Sequence, residues 1–381
     1  MNFSEVIGQQ HIKSHLIKGV ETGRIPHAQI FSGAVGFGLL PTAIAYAGAL
    51  LCKHLPENQK KDCLSKVKKL EHPDLHFIYP VNTTEKIKKN AVSTDLIEEW
   101  REFVKTNPYG TLFQWLQSLG IENKQGNISA AEAEIMTKKL SLKSYSGGYK
   151  VMIIWMAETL NTACANKILK LIEEPSERTV IILLTEREER ILTTIRSRCQ
   201  AISFPRLSEN DISEKLIEDY NLRASDAHRI ATQSYGDFNR AIHLASNSEE
   251  DAMFENWFIS WMRIAFMARK DREAINKLID WSEEIADQGT EIQKRFLFFC
   301  TEIFRQALLK NYTVDNLVYF KAMDKSFKIE NFAPYIHHNN ILKLYEQFEE
   351  SYYHISRNAN AKILFVDLSI KMVHLLLQKN E

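Results

Sequence analysis

The residues from Gly33 to Leu40, GAVGFGLL, carry the frame of a phosphate-wrapping loop, G-x-x-x-x-G-K-S/T. In such a loop the glycines let backbone N–H groups curl around phosphate. The lysine neutralises the outer phosphate oxygens, and the hydroxyl ligates Mg²⁺. Here Leu39 stands at the lysine position and Leu40 at the hydroxyl position, so neither a cation nor a metal ligand is supplied. The loop's shape, carried by Gly33, Gly36 and Gly38, is expected to survive without its chemistry. An ATPase built on this loop also needs adjacent acids at the end of a second strand, one for Mg²⁺ and one to orient the attacking water. The segment that would provide them reads VMIIWMAE, with Trp155 and Met156 in those places and Glu158 two residues late. Two lesions in one site predict that no nucleotide is bound in cis. A glycine pattern alone is also compatible with a plain turn, so the elements around it decide.

Those elements alternate. AQIFS at 28–32 is a short apolar strand candidate leading into the loop, and Pro41 suits the first turn of a helix running to about Lys53. YKVMIIWM at 149–156 is nearly all apolar and TVIILLT at 179–185 is an all-apolar run, as strands buried on both faces should be. Between them LNTACANKILKLIEEP repeats apolar residues at helical spacing and stops at Pro175, with Cys164 on the apolar face. A helical segment leads into IRSRC, and a last strand is expected at 201–204. Apolar strands alternating with helices predict an α/β unit with a parallel sheet. After Pro205 the chain offers only amphipathic helices, short to about residue 247 and longer beyond it. Phe254, Trp257, Phe258, Trp261, Ile264 and Ala265 form one aromatic-rich stripe there. Residues 82–127, with Lys86, Lys88, Lys89, Trp100, Arg101, Trp115 and the segment NKQGN, are expected to be a partly helical insertion on one edge of the sheet.

Composition excludes several classes. Across 381 residues, 48 Lys+Arg balance 48 Asp+Glu, and 45% of residues are hydrophobic. That suits a globular chain of two or three domains. It argues against a disordered chain and against a surface that grips nucleic acid everywhere. The 28 residues between Arg24 and Lys53 carry no formal charge, but Pro26, Pro41 and three glycines break them, so a buried strand, turn and helix is the better parse than a membrane span. The N-terminal segment lacks a basic stretch followed by an apolar run, so no secretory signal is expected.

The opening FSEVIGQQHIKSHL, the approach GRIPHAQIFSG, and the long run SYSGGYKVMIIWMAETLNTACANKILKLIEEPSERTVIILLT followed by ILTTIRSRCQAISFPRLS resemble the AAA+ clamp-loader family. Within it they are most similar to the delta-prime subunits of bacterial DNA polymerase III. The similarity covers roughly 1–80 and 130–245; beyond that it rests on length and the NANAK segment at 358–362. It implies an AAA+ P-loop core over 1–205, a helical lid over 206–247 and an all-α collar for oligomerisation over 248–381. Ser197-Arg198-Cys199 matches the family's SRC motif, which makes Arg198 an arginine finger offered in trans to ATP on a neighbouring subunit. Thr185 falls at sensor 1 and Arg240 at sensor 2, both expected here as relics. The resemblance further implies gamma/tau and delta subunits as partners, the sliding clamp and primer–template DNA through the complex, a cytoplasmic location, and no turnover by the isolated chain. A gamma/tau-like active ATPase and a scaffold subunit touching the clamp directly are the alternatives.

Five cysteines, Cys52, Cys63, Cys164, Cys199 and Cys300, are few, odd in number and scattered, which predicts no disulfide framework and a reducing compartment. The family's four-cysteine zinc module is reduced here to Cys52 and Cys63, with Lys66 and Lys69 at the following ligand positions. His54 and His72 could complete a set, but the spacing is foreign to zinc modules, and no metal is expected. The lysines at 60, 61, 66, 68 and 69 read first as a solvated helix face, with a DNA phosphate contact as the sharper alternative.

Overall fold

Strand β1 (Ala28–Ser32) lies inside a five-stranded sheet, flanked by two strands formed far later in the chain. The computed structural model describes residues 1–381 except 86, 123, 247–248, 269–270, 272, 315–317, 319, 321 and 379–381. Lys86 and one residue of NKQGN therefore lie outside the described residues. Sheet order is β2 (Leu75–Ile78), β3 (Lys150–Ile154), β4 (Thr179–Thr185), β1, β5 (Gln200–Ser203). All four pairings are parallel, with Ala28 opposite Ile181 and Gln29 opposite Gln200.

Strand periodicity distributes the side chains to two cores. Phe31, Val151, Ile153, Val180, Ile182 and Leu184 face one layer, which holds α1 (Gln10–Thr22), α2 (Leu39–Cys52) and α3 (Glu57–Lys68). Ile30, Met152, Ile154, Ile181 and Leu183 face the other, covered by α6 (Ala130–Ser141), α7 (Thr162–Glu173) and the short α8 (Thr193–Arg196). With helices on both faces, every inner strand needs apolar side chains on both sides. The α/β class and parallel sheet expected from the alternation are what the fold displays. The uncharged stretch 25–52 is the loop-bearing strand β1 followed by α2, and among the described residues no helix is long and apolar enough to cross a membrane.

Three features differ from expectation. β2 was not anticipated: LHFI is only four residues long and carries His76, yet it pairs in register with Val151–Ile154. The segment 82–127 holds α4 (Ile97–Thr106) and α5 (Leu112–Ser118), and it helps fill the core. Trp100 and Trp115 are fully buried, Trp100 stacks on Tyr79 with ring centroids 4.1 Å apart, and Trp115 Nε1 donates to the Pro80 carbonyl at 2.8 Å. Finally, Cys52 and Cys63 form a disulfide, with Cα atoms 5.9 Å apart, between the end of α2 and the middle of α3. The turn at 53–56 folds α3 back along α2, which the absence of a disulfide framework did not foresee. The sulfurs are thereby bonded to each other rather than held as a thiolate pair. His54 stacks on Tyr149, and His72 Nδ1 accepts from the Asp74 N–H, so the four candidate zinc donors are not assembled.

Three further helices, α9 (Glu209–Tyr220), α10 (Ala224–Gln233) and α11 (Phe238–Ala245), close around Ile212, Leu216, Ile230 and Phe238 together with Ile7 and Tyr109. They belong to the first of two units, Met1–Ser246; the second is Asn247–Glu381. That second unit holds α12 (Glu249–Met267), α13 (Glu273–Ala286), α14 (Thr290–Asn311), α15 (Ile329–Phe332), α16 (Ile341–Ile355) and α17 (Ala361–Leu376). Its core is the stripe read from the sequence, with Trp261 stacked on Trp281 at 4.7 Å and Phe254, Trp257 and Phe258 buried.

Candidate functional site

Two places carry the chemistry of interest: the loop after β1 and the turn before β5. The loop is held open at its base by the Gly33 N–H donating to the Thr185 carbonyl at 3.1 Å. Gly38, at φ +94°, caps α2 from the left-handed region that glycine enters without strain. Gly36, at φ +80°, is needed for a second reason. A Cβ there would stand 1.8 Å from Asp237 Oδ1, and the Phe238 N–H donates to the Gly36 carbonyl at 3.2 Å. The N-terminus of α11 therefore presses directly onto the loop.

The recess beside the loop is lined largely by hydrophobic side chains. Leu40 is 4% exposed and joins the core with Leu39 packed against it. Trp155 and Met156 are buried at the end of β3, Trp155 with its ring 5.1 Å from Trp100. Tyr109, from the 82–127 segment, accepts from the Ile7 N–H at 3.0 Å and meets Phe238 edge-on at 5.1 Å, so the N-terminal segment and α11 meet at Tyr109 beside Gly38. The recess these groups leave is about 30 Å³. A volume of that size holds a water or two.

The loop's anion-binding capacity is turned inward. The Val35 N–H donates to Glu186 Oε1 at 2.9 Å, and the Glu186 N–H donates to Glu158 Oε1 at 3.1 Å. Glu158, two residues past the expected acids, thus reaches the site through Glu186. Surrounding protein and the Glu158 charge push the Glu186 carboxyl up to about 7, although the side chain keeps solvent contact that moderates the shift. Asp237 is raised to about 6 by burial, against the opposing backbone bond from the Arg240 N–H, which it caps at 3.0 Å. Thr185 is buried at the mouth of the loop, its Oγ1 accepting from the Arg187 N–H at 3.1 Å. The Arg240 guanidinium lies 5.1 Å from the Tyr235 ring centroid. Sequence reasoning missed Glu186 and Asp237 because they stand about 150 and 200 positions from the loop, and only the fold brings them there.

The second place is Ser197-Arg198-Cys199. Arg198 Nε pairs with Glu173 Oε1 at 2.8 Å, and Nη1 donates to the Thr194 carbonyl at 3.0 Å and to Ser197 Oγ at 3.3 Å. The side chain remains 43% exposed. Ser197 Oγ donates to the same Thr194 carbonyl at 3.1 Å, tightening the turn. Cys199 packs partly against the α7–α8 layer, and burial pushes its thiol up to about 11, away from reactivity. Cys164 is wholly buried in that layer. The turn immediately precedes β5, whose first residue is level with Gln29, whereas the phosphate-type loop follows Ser32. In parallel strands those are opposite ends, separated by about 13 Å of strand.

Of the lysines on α3, Lys60, Lys66 and Lys68 are paired with Glu57, Asp62 and Glu5 at 2.7–2.8 Å, which favours the solvated-face reading over a free basic patch.

A DNA polymerase III subunit delta' from Bacillus subtilis is 27% identical over 212 residues, covering 55% of this chain and 51% of the relative. A DNA polymerase III subunit tau from the same organism is 24% identical over 77% of this chain and 47% of the relative. The chain thus spans about half the length of these relatives. A gamma subunit-related protein of DNA polymerase III from Thermotoga maritima, of known structure, aligns over 96% of this chain and 99% of its own at 13% identity, with a TM-score of 0.42. Residues 8–208, just over half of the chain, match the family described as DNA polymerase III, delta subunit, and the chain belongs to that family.

Proposed function

We propose that this chain is a non-hydrolysing subunit of a DNA polymerase III clamp-loading assembly, in which it supplies Arg198 to ATP held by a neighbouring ATPase subunit. The observation that carries this reading is the opposition of the two sites on the sheet. The recess at the loop that would hold this chain's own nucleotide is lined by Leu39, Leu40, Trp155, Met156 and Tyr109, and the loop's Val35 N–H is taken by Glu186. The half-exposed arginine stands at the other strand ends, a placement that suits it to a phosphate offered from outside the chain.

The chemistry suits the role. Guanidinium is permanently charged and planar, and in trans to a triphosphate it can be worth about 10³–10⁵ in rate. Ser197 and Cys199 set the turn rather than touch the phosphate. The helical second unit serves as the collar that keeps the chain beside gamma/tau and delta partners, so that hydrolysis next door is coupled to clamp loading on primed DNA. The proposed domains are the α/β core 1–205, the lid 206–247 and the collar 248–381.

The test is the DNA-stimulated ATPase of an assembly reconstituted with gamma/tau and delta. Arg198→Ala should lower turnover at least tenfold while leaving the complex intact on size exclusion. Unchanged turnover would remove the finger role, and micromolar Mg-dependent ATP binding by the isolated chain would restore the gamma/tau-like ATPase reading.

A further inference from the structure

The contacts of Arg198 assign a role to a residue outside its motif. We propose that Glu173 is the positioning residue for Arg198, holding the guanidinium by its Nε edge so that a terminal nitrogen is presented outward. The inference rests on the finger role proposed above.

The pair is built from both sides. Glu173 follows the buried Ile172 at the last residue of α7, and Arg198 comes three residues after the buried Ile195 of α8, so the two backbones are fixed against one apolar layer. A carboxylate at a helix C-terminus faces the negative end of the helix dipole and is disfavoured there unless a cation answers it. Arg198 does so, Nε to Oε1 at 2.8 Å. Nη1 is taken by the Thr194 carbonyl and Ser197 Oγ, while Nη2 makes no hydrogen bond among the described residues. The adjacent Arg196 is drawn instead to Glu188, at 3.6 Å, so it does not compete for Glu173. A long flexible side chain fastened at two of its three nitrogens loses little further freedom when the third meets a phosphate oxygen. That prepayment of orientation is what a transition-state contact needs.

The experiment is a cycle in the complete reconstituted assembly: wild type, E173Q, R198A and the double variant, with kcat and KM for ATP measured separately at saturating primed DNA. E173Q keeps the side chain's shape and removes its charge. It should lower kcat about three- to fivefold, the range open to a half-exposed ion pair, with KM changed less than twofold. Added to R198A it should change nothing further, and E173D should recover part of the loss. If R198A lowers kcat and E173Q does not, Glu173 has no positioning role and the finger role stands. An equal loss from E173Q in the R198A background would show that Glu173 acts only through the stability of α7, which overturns the proposal. R198A without effect removes both readings. Thermal unfolding of each variant keeps a folding defect from passing as a loss of positioning.

Discussion

Asp237 answers two demands at once: it caps α11 by accepting from the Arg240 N–H, and its carboxyl occupies the space that a Cβ on Gly36 would need. Burial raises its pKa from 3.8 to about 6. Between those values the folded chain keeps a proton that the unfolded chain has released, so this residue's contribution to stability is greatest below about pH 4 and falls as pH rises through 6. Asparagine caps a helix equally well and does not titrate. Asp237→Asn should therefore flatten this part of the pH dependence. Urea unfolding of the first unit at pH 4.5 and pH 7 should show the difference between wild type and variant narrowing or reversing by about 1–2 kcal/mol, allowing for solvent contact. Glu186, raised to about 7, acts with the same sign over a window reaching higher. At this scale the sequence was informative about which charges the loop and the end of β3 do not carry. Leucine at 39 and 40 and Trp155-Met156 announce missing charges by their identity alone. What replaced those charges was not legible, because the partnership of Val35 with Glu186 exists only once β1 and β4 are side by side.

The elements repeat that division. Three of the five strands, β1, β3 and β4, are predominantly apolar and were visible as such; β5 was visible one residue out of step, through its position after the SRC turn. β2 was not, since four residues containing a histidine give no period to count. Burial, with help from the Lys139 charge, depresses His76 to about 4, so it stays neutral within the sheet near pH 7. The α2–α3 hairpin hid its crosslink for a different reason. Helical periodicity shows which face is apolar, not which partner helix will cover it, and Cys52 and Cys63 are neighbours only after the chain turns at 53–56. The loop they close is 11 residues apart in sequence, short enough that reduction should cost about 2–3 kcal/mol of stability. Adding dithiothreitol should lower the unfolding midpoint of the first unit, and Cys63→Ala should abolish that sensitivity. No response to reductant would mean that the two thiols are unpaired in solution.

At the level of the whole chain, two units each enclose their own core, one organised by the sheet and one by aromatic helix packing. A chain of this kind does not unfold in one step by default. Scanning calorimetry should resolve two transitions, and Trp261→Ala, which removes a fully buried ring stacked on Trp281, should lower only the one belonging to Asn247–Glu381, by roughly 10 °C. A shift of both by the same amount would mean that the units melt as one.

The central place of β1 sets a condition on how the protein is made. Both neighbours of Ala28–Ser32 in the sheet, Thr179–Thr185 and Gln200–Ser203, are translated well over a hundred residues after it. At about 5–20 residues per second the nascent strand waits roughly 7–30 s with both hydrogen-bonding edges bare. During that interval AQIFS is sticky and unclaimed, and its protection must come from whatever attends the emerging polypeptide rather than from its own fold.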